Sequence, residues 1–476
     1  MNIDKIAENL TAALTALSEL KKEGAPQDSN ENYRELEVLA RNHPFQNHIL
    51  CNAGEQVQNL YITALLAILS DENEDAVRNQ QLLVLGRIIA SYNKQIDFAH
   101  YTTRCVKISA GFWSDFTDFM VDDLKFCFAV DALLVFHLSH SASETTLNAI
   151  ADVMQFLGLT AEEIQKAAAI ARTIMAQDFF ALLDLVECAD GVNYTPFLGY
   201  FPGQDWNFIV TSLSSAKGLA GKIIIAGACE ENTSKPIHLD ECAGSRLFFY
   251  RCTFKRTCGM VSATVPSEFV RCTFQDNLIP EAAPGQGSGK TVSDFTFLEL
   301  TNSRIASSQF IHCRATKHLI CLTNGTISDC DFVNCRGVDL PCSYLLEINL
   351  SVVTGCSFTN CRMDTDSPDR NSTTGGLVAL NQSEMLNSTF HECTAYGDSS
   401  FGSYARFSMY IIMANESNVA ECQFEKCYCQ SKDANRKTSS SYILGLSKAT
   451  EHDNAFKECQ SYHYSYGSIC GTHDVG

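Results

Sequence analysis

The chain is 476 residues long, 45% hydrophobic and 19% charged, with a net charge of −20, which is a globular composition with room for two or three domains. Residues 1–200 hold 27 acidic and 13 basic side chains and residues 201–476 hold 28 and 22, so neither half has the basic stripe that nucleic acid or an anionic membrane surface requires. The most apolar stretch, 126–138, is interrupted by Asp131 and is too short to cross a bilayer, which makes it a buried helix and excludes membrane insertion.

The first residues, Met1-Asn2-Ile3-Asp4-Lys5, lead into a mixed polar helix rather than a basic and then apolar signal, so a cytoplasmic protein is expected. Up to about residue 190 the apolar spacing is helical. Leu60, Ala64, Leu65 and Ile68 form one stripe, and Leu82, Leu83, Leu85, Ile88 and Ile89 another, separated by an acidic stretch at 71–75. Thr160 and Glu163 make a capping box that opens a helix running to about Met175. Gly158 ends the preceding helix in a left-handed turn. Seven to nine helices are predicted over residues 1–190, with no strand of note.

The segment at about 131–178, with a helix, a short polar turn, an acidic-capped helix and the run LGLTAEEI, resembles the TerB-like helical domain of bacterial tellurite-resistance and stress systems. In that family, acidic residues around the polar turn are implicated in metal binding, and Asp131 and Glu144 stand in matching positions. The turn 139–143 reads Ser-His-Ser-Ala-Ser where the family usually shows an acidic, glycine-containing turn. The resemblance therefore implies a helical docking module rather than a metal site. His137 and His140 read as a helix-terminal cap, not a ligand pair. Residues 191–223, with Pro196, Gly199, Pro202, Gly203, Gly218, Trp206 and Phe208, are a junction suited to capping the array that follows.

From about residue 224 the period changes. A cysteine-flanked phenylalanine recurs at Phe254, Phe274, Phe310, Phe332, Phe358, Phe390, Phe424 and Phe456. Two residues before them stand Cys252, Cys272, Ser308, Cys330, Cys356, Ser388, Cys422 and Asn454, and three after the last six stand Cys313, Cys335, Cys361, Cys393, Cys427 and Cys459. Each unit also has an aliphatic strand about ten residues upstream, as in Leu298-Glu-Leu300. Asn302, Asn324, Asn349, Asn381 or Asn415 then turns the corner, and an apolar position follows at Ile305, Ile327, Val353, Met385 or Val419.

Of the 22 cysteines, 18 lie beyond residue 200. Flanking partners are not gained and lost together, since Ser308, Ser388 and Asn277 leave single cysteines, so the thiols read as reduced core packers. The close pairs Cys330/Cys335, Cys356/Cys361 and Cys422/Cys427 have no second matching pair, which argues against zinc. A stacked unit of this kind predicts an α + β multidomain chain: an all-α bundle and then a parallel β-helix of about eight to nine coils, its phenylalanines in one internal column. Leucine-rich repeats are the alternative, but successive phenylalanines are 20, 36, 22, 26, 32, 34 and 32 residues apart. The repeat resembles the pectate-lyase-like right-handed β-helix superfamily over roughly 220–470, which implies an architecture rather than an activity.

The length variation falls after the second cysteine, so 362–376, 394–408 and 428–441 are expected to be long insertions forming one continuous surface. Asp364, Asp366, Asp369, Arg370, Tyr396, Phe401, Tyr404, Phe407 and Tyr428 are its candidate contact residues. A polysaccharide-cleaving groove would need acids from adjacent coils. Asp329 and Asp331 with Arg336 are candidates, yet the matching positions hold Gly355 and Ser357, Ser307 and Gln309, and Glu421 and Gln423. The run 284–291, PGQGSGKT, lacks the first glycine of a phosphate-binding loop and precedes a strand rather than a helix. No catalytic constellation, cofactor or metal site is expected. The leading expectation is a non-enzymatic bacterial scaffold that binds a protein partner. A carbohydrate-binding or polysaccharide-cleaving β-helix and a phage or surface adhesion spike are the alternatives.

Overall fold

The computed structural model describes residues 29–68, 75–93, 95–98, 110–137, 153–187, 191–242, 244–279, 296–338, 344–366, 372–399, 406–433, 440–465 and 468–472. The chain forms two compact units, residues 1–209 and 210–476. Among the described residues no helix is long and apolar enough to cross a membrane.

The first unit is helical: α1 Ser29–Asn42, α2 Glu55–Ile68, α3 Asp75–Tyr92, α4 Ala110–Phe119, α5 Asp122–His137, α6 Ala161–Met175 and α7 Phe179–Asp184. These are the expected kind of element, and seven lie among the described residues. Helix α5 contains the apolar run read from the sequence, and every residue from 126 to 136 is buried. A helix apolar on all sides belongs at the centre of a bundle, and α5 packs against α2, α3 and α6. The start of α6 is as predicted. Glu163 donates its backbone N–H to Thr160 Oγ1 (3.2 Å) and its carboxylate accepts from the Thr160 N–H (2.7 Å), a cap that contributes about 1 kcal/mol. Gly158 takes φ +87° in the turn before it.

The second unit is a parallel β-helix whose strands fall into four sheets. One coil shows the plan. Arg304–Ala306 lies on the first sheet, Gln309–Ile311 on the second, Arg314–Ala315 on the fourth and His318–Thr323 on the third. The chain turns at Asn302, Ser307 and His312, whose φ angles are 52°, 48° and 53°. The next coil repeats this at Asn324, Asp329 and Asn334. On the first and second sheets a side is thus five residues, and its middle residue points inward. Ile305 registers with Ile327, and Phe310 with Phe332.

Left-handed backbone costs a non-glycine residue about 1–2 kcal/mol. Here each corner N–H is compensated by a bond to the next coil: Asn302 to Thr323 O, Ser307 to Ser328 O and His312 to Val333 O, all 2.9 Å. The expected asparagine corners need one correction. Asn302 and Asn324 do turn the chain, but Asn349, Asn381 and Asn415 end their strands one residue earlier, and Leu350, Gln382 and Glu416 take the positive φ. Those strand-end amides stack between coils instead, with Asn381 Nδ2 donating to Asn349 Oδ1 at 2.9 Å.

The phenylalanine column is present from end to end. From Phe254 to Phe456 successive ring centroids lie 5.1, 4.6, 4.7, 4.6, 4.5, 5.0 and 4.9 Å apart, with interplanar angles of 14° or less. Beside it runs a column of thiols. Cys313, Cys335, Cys361, Cys393, Cys427 and Cys459 each donate to the carbonyl of the phenylalanine one coil earlier, at 3.3–3.4 Å. Burial pushes the Cys335 and Cys393 thiols well above their usual pKa and so keeps them protonated. Ser308, Ser388 and Asn454 fill the other column because their oxygens accept the N–H of Cys272, Cys356 and Cys422 (3.1, 3.3 and 2.9 Å). A buried serine column, Ser303, Ser351, Ser383 and Ser417, does the same on the first sheet and had no forecast in the sequence.

Candidate binding face

The stretches expected to be loops after the second cysteine are largely strands. Arg362–Asp366, Thr394–Ser399 and Tyr428–Asp433 belong to the fourth sheet, while Ser372–Asn381, Arg406–Asn415 and Ser440–Ser447 are long strands of the third. The reason lies in which residues point in. Gly337, Met363, Ala395 and Cys429 are the inward positions, all buried, and three of them are too small to register as an apolar period. Met363 fills the space beside Gly337, and a Cβ there would stand 2.0 Å from its Sδ, so a larger residue would require the methionine side chain to shift.

The outward residues of this sheet form columns fixed by strand register. Arg314, Arg336, Arg362, Thr394, Tyr428 and Gln460 stand one above another in a first column. Asp364, Tyr396 and Gln430 stand in a second. The three arginines are exposed, and Tyr396 and Tyr428 are half-buried. Arg362 is held by Asp364, its Nε 2.6 Å from Oδ1, and Tyr428 donates its hydroxyl to Gln430 Oε1 at 2.5 Å. Rigid strands therefore present guanidinium and phenol groups along one flat face.

Three of the nine predicted contact residues, Asp364, Tyr396 and Tyr428, are brought together here. Asp366 and Phe407 lie in strands whose side chains at those positions are outside the described residues, as are Asp369, Arg370, Phe401 and Tyr404 altogether. His140, Glu144, the His137 side chain and the run 284–291 are also outside them. The arginines were missed as a row although each directly follows the second cysteine of its repeat, because the stretch after that cysteine reads as an insertion. The acid candidates do not converge. Asp329 is a corner with φ 53°, Asp331 points outward from the second sheet between Gln309 and Ser357, and Arg336 is on the fourth. Among the described residues no group of three His, Cys, Asp or Glu could hold a metal ion.

Two polar clusters went unforeseen. On the third sheet buried His318 places Nε2 2.8 Å from Glu347 and Nδ1 2.9 Å from the Tyr344 carbonyl, and its hydrogen bond holds the Glu347 carboxyl below its ordinary pKa. In the helical unit Asp131 is wholly buried and accepts from His48 Nε2 (3.0 Å), Tyr61 (2.7 Å) and Tyr200. His48 Nδ1 accepts the Leu50 N–H at 3.2 Å, so Nε2 carries the proton donated to Asp131. Gly199 allows Tyr200 to arrive, because a Cβ at 199 would lie 1.6 Å from the Gln46 carbonyl. Asp131 is thus saturated by protein donors and sealed from solvent, which suits a structural tie between distant segments rather than the metal ligation considered for it.

Burial, and after it the Asp131 charge, pushes the Tyr61 and Tyr200 hydroxyls well above their usual pKa. A raised folded-state pKa means stability that is complete below about pH 10 and declines as pH rises beyond it. The helical unit is therefore expected to unfold in alkali. In a pH titration, the phenolate absorbance of these two tyrosines should appear together with loss of helical circular dichroism. Their ionisation with helicity intact would contradict this.

No family model and no curated protein matches the chain.

Proposed function

We propose that this protein is a non-enzymatic binding scaffold, with the outer face of the fourth sheet recognising another protein and the helical unit docking a second partner. The observation that carries the reading is the register-fixed row of arginine and tyrosine on a rigid sheet, the residue types that dominate binding energy at protein interfaces. The separation of Asp329, Asp331 and Arg336 onto different parts of the coil supports binding over cleavage. Exposed Val121, Phe156 and Phe180 (52–64% accessible) supply apolar contacts for docking on the helical unit. The TerB-like likeness of the first unit, the pectate-lyase-like likeness of the second and a cytoplasmic bacterial setting all belong to this proposal.

The test is affinity capture with the full chain and with a Tyr396→Ala/Tyr428→Ala variant. Both rings are only half-buried, so the variant should fold, which circular dichroism checks. A specific protein retained by the natural chain and lost with the variant is the expected result. Equal capture by both would remove this face as the recognition surface.

A further inference from the structure

Arg314, Arg336 and Arg362 occupy one outward column on three successive coils. Adjacent strands are about 4.8 Å apart, and like charges placed directly opposite across strands destabilise a sheet. Arg362 is neutralised by Asp364. Arg314 and Arg336 have no ion pair among the described residues and are exposed. Yet the chain has 20 more acidic than basic side chains, so carboxylates to neutralise such a row are abundant in its composition. Among the described residues Arg314 and Arg336 thus present guanidinium groups without a carboxylate, the arrangement an anionic partner completes.

We propose that this arginine column is a docking site for an acidic, extended protein segment, with Arg314 and Arg336 each taking a carboxylate and Tyr428 and Tyr396 packing against the segment further along. The inference rests on the protein-binding reading of the face and adds the chemistry of the partner. Guanidinium groups match carboxylates in planar, two-point geometry, which lysine would not provide. From Arg314 to Tyr428 the column spans four strand spacings, about 19 Å. An extended peptide covers that distance in about six residues, at about 3.3 Å each. The face is a sheet surface rather than a cleft, which suits a polypeptide laid across it more than a small anion.

The probe is a fluorescein-labelled deca-glutamate peptide, titrated by anisotropy against the full chain at low ionic strength. Arg314→Gln/Arg336→Gln is expected to weaken its binding about tenfold or more. Arg304→Gln, which removes one charge from an exposed position on the first sheet, is expected to leave it within about twofold. No binding to the natural chain, or equal weakening by Arg304→Gln, overturns the proposal. Binding of polygalacturonate through the same arginines with none of the peptide also overturns it and assigns an acidic glycan. If a partner captured by the tyrosine face is indifferent to Arg314→Gln/Arg336→Gln, the face stands as a protein site and the acidic segment fails. If it depends on neither pair, both fail.

Discussion

Phe358→Ala is expected to lower the stability of the β-helix by about 3–5 kcal/mol, the loss of a buried ring plus the cavity it leaves. Phe358 is fully buried, with neighbouring rings stacked at 4.6 and 4.5 Å on its two faces. In a stacked array each coil is supported mainly by its neighbours, so one cavity weakens two interfaces. Phe358→Leu keeps most of the volume and should cost about 1–1.5 kcal/mol. Phe456 is only half-buried and has a ring partner in the column on one side, Phe424. Phe456→Ala should therefore cost less than half of the Phe358→Ala effect. Urea unfolding followed by the strand signal measures all three. Equal midpoints for the Phe358 and Phe456 alanine variants would be incompatible with a continuous internal column.

Asp131→Ala is expected to destabilise the helical unit by about 3–5 kcal/mol, the range for removing one partner from a buried polar cluster. The substitution strands the His48 Nε2–H and the Tyr61 and Tyr200 hydroxyls, all buried. Tyr61→Phe removes one donor and leaves Asp131 two others, so it should cost about 1.5–3 kcal/mol, the usual worth of a hydrogen bond to a charged group. Thermal unfolding monitored by helical circular dichroism tests this. The β-helix transition should be unmoved, because the unit boundary falls at 209/210. An Asp131→Ala variant as stable as the natural chain would mean that the cluster is not a tie.

Much of the β-helix is legible because its phenylalanine repeats at a fixed offset from small residues, and identical inward positions must stack. The expected block survives in detail: Phe332 lies over Phe310, and Cys335 donates to the Phe310 carbonyl. What escaped was the fourth side of the coil. Ala395, Gly337 and Cys429 point inward there without the bulk that marks a strand, and charged or aromatic neighbours make the stretch read as loop. The candidate face was legible as single residues but not as a surface. Tyr396 and Tyr428 stand out as aromatics in a polar stretch, and Arg314, Arg336 and Arg362 each follow the second cysteine of a repeat, a signal left unused because the stretch after that cysteine reads as loop.

The sequence by itself determined the two-part architecture, the buried helix that contains the run 126–136, the capped start of α6 and the identity of the stacked column. All of these are local or periodic, and short-range physics is enough to specify them. Tertiary structure decided which residues meet across long separations. Asp131 gains its three donors from positions 69 to 83 residues away. That the residues after each second cysteine form the outer face of a fourth sheet, rather than a loop, is likewise decided by the stacking of coils. The physical reason is common to both. A buried carboxylate needs donors and a coil needs a neighbour, but many arrangements of a chain would satisfy either need, and packing selects among them.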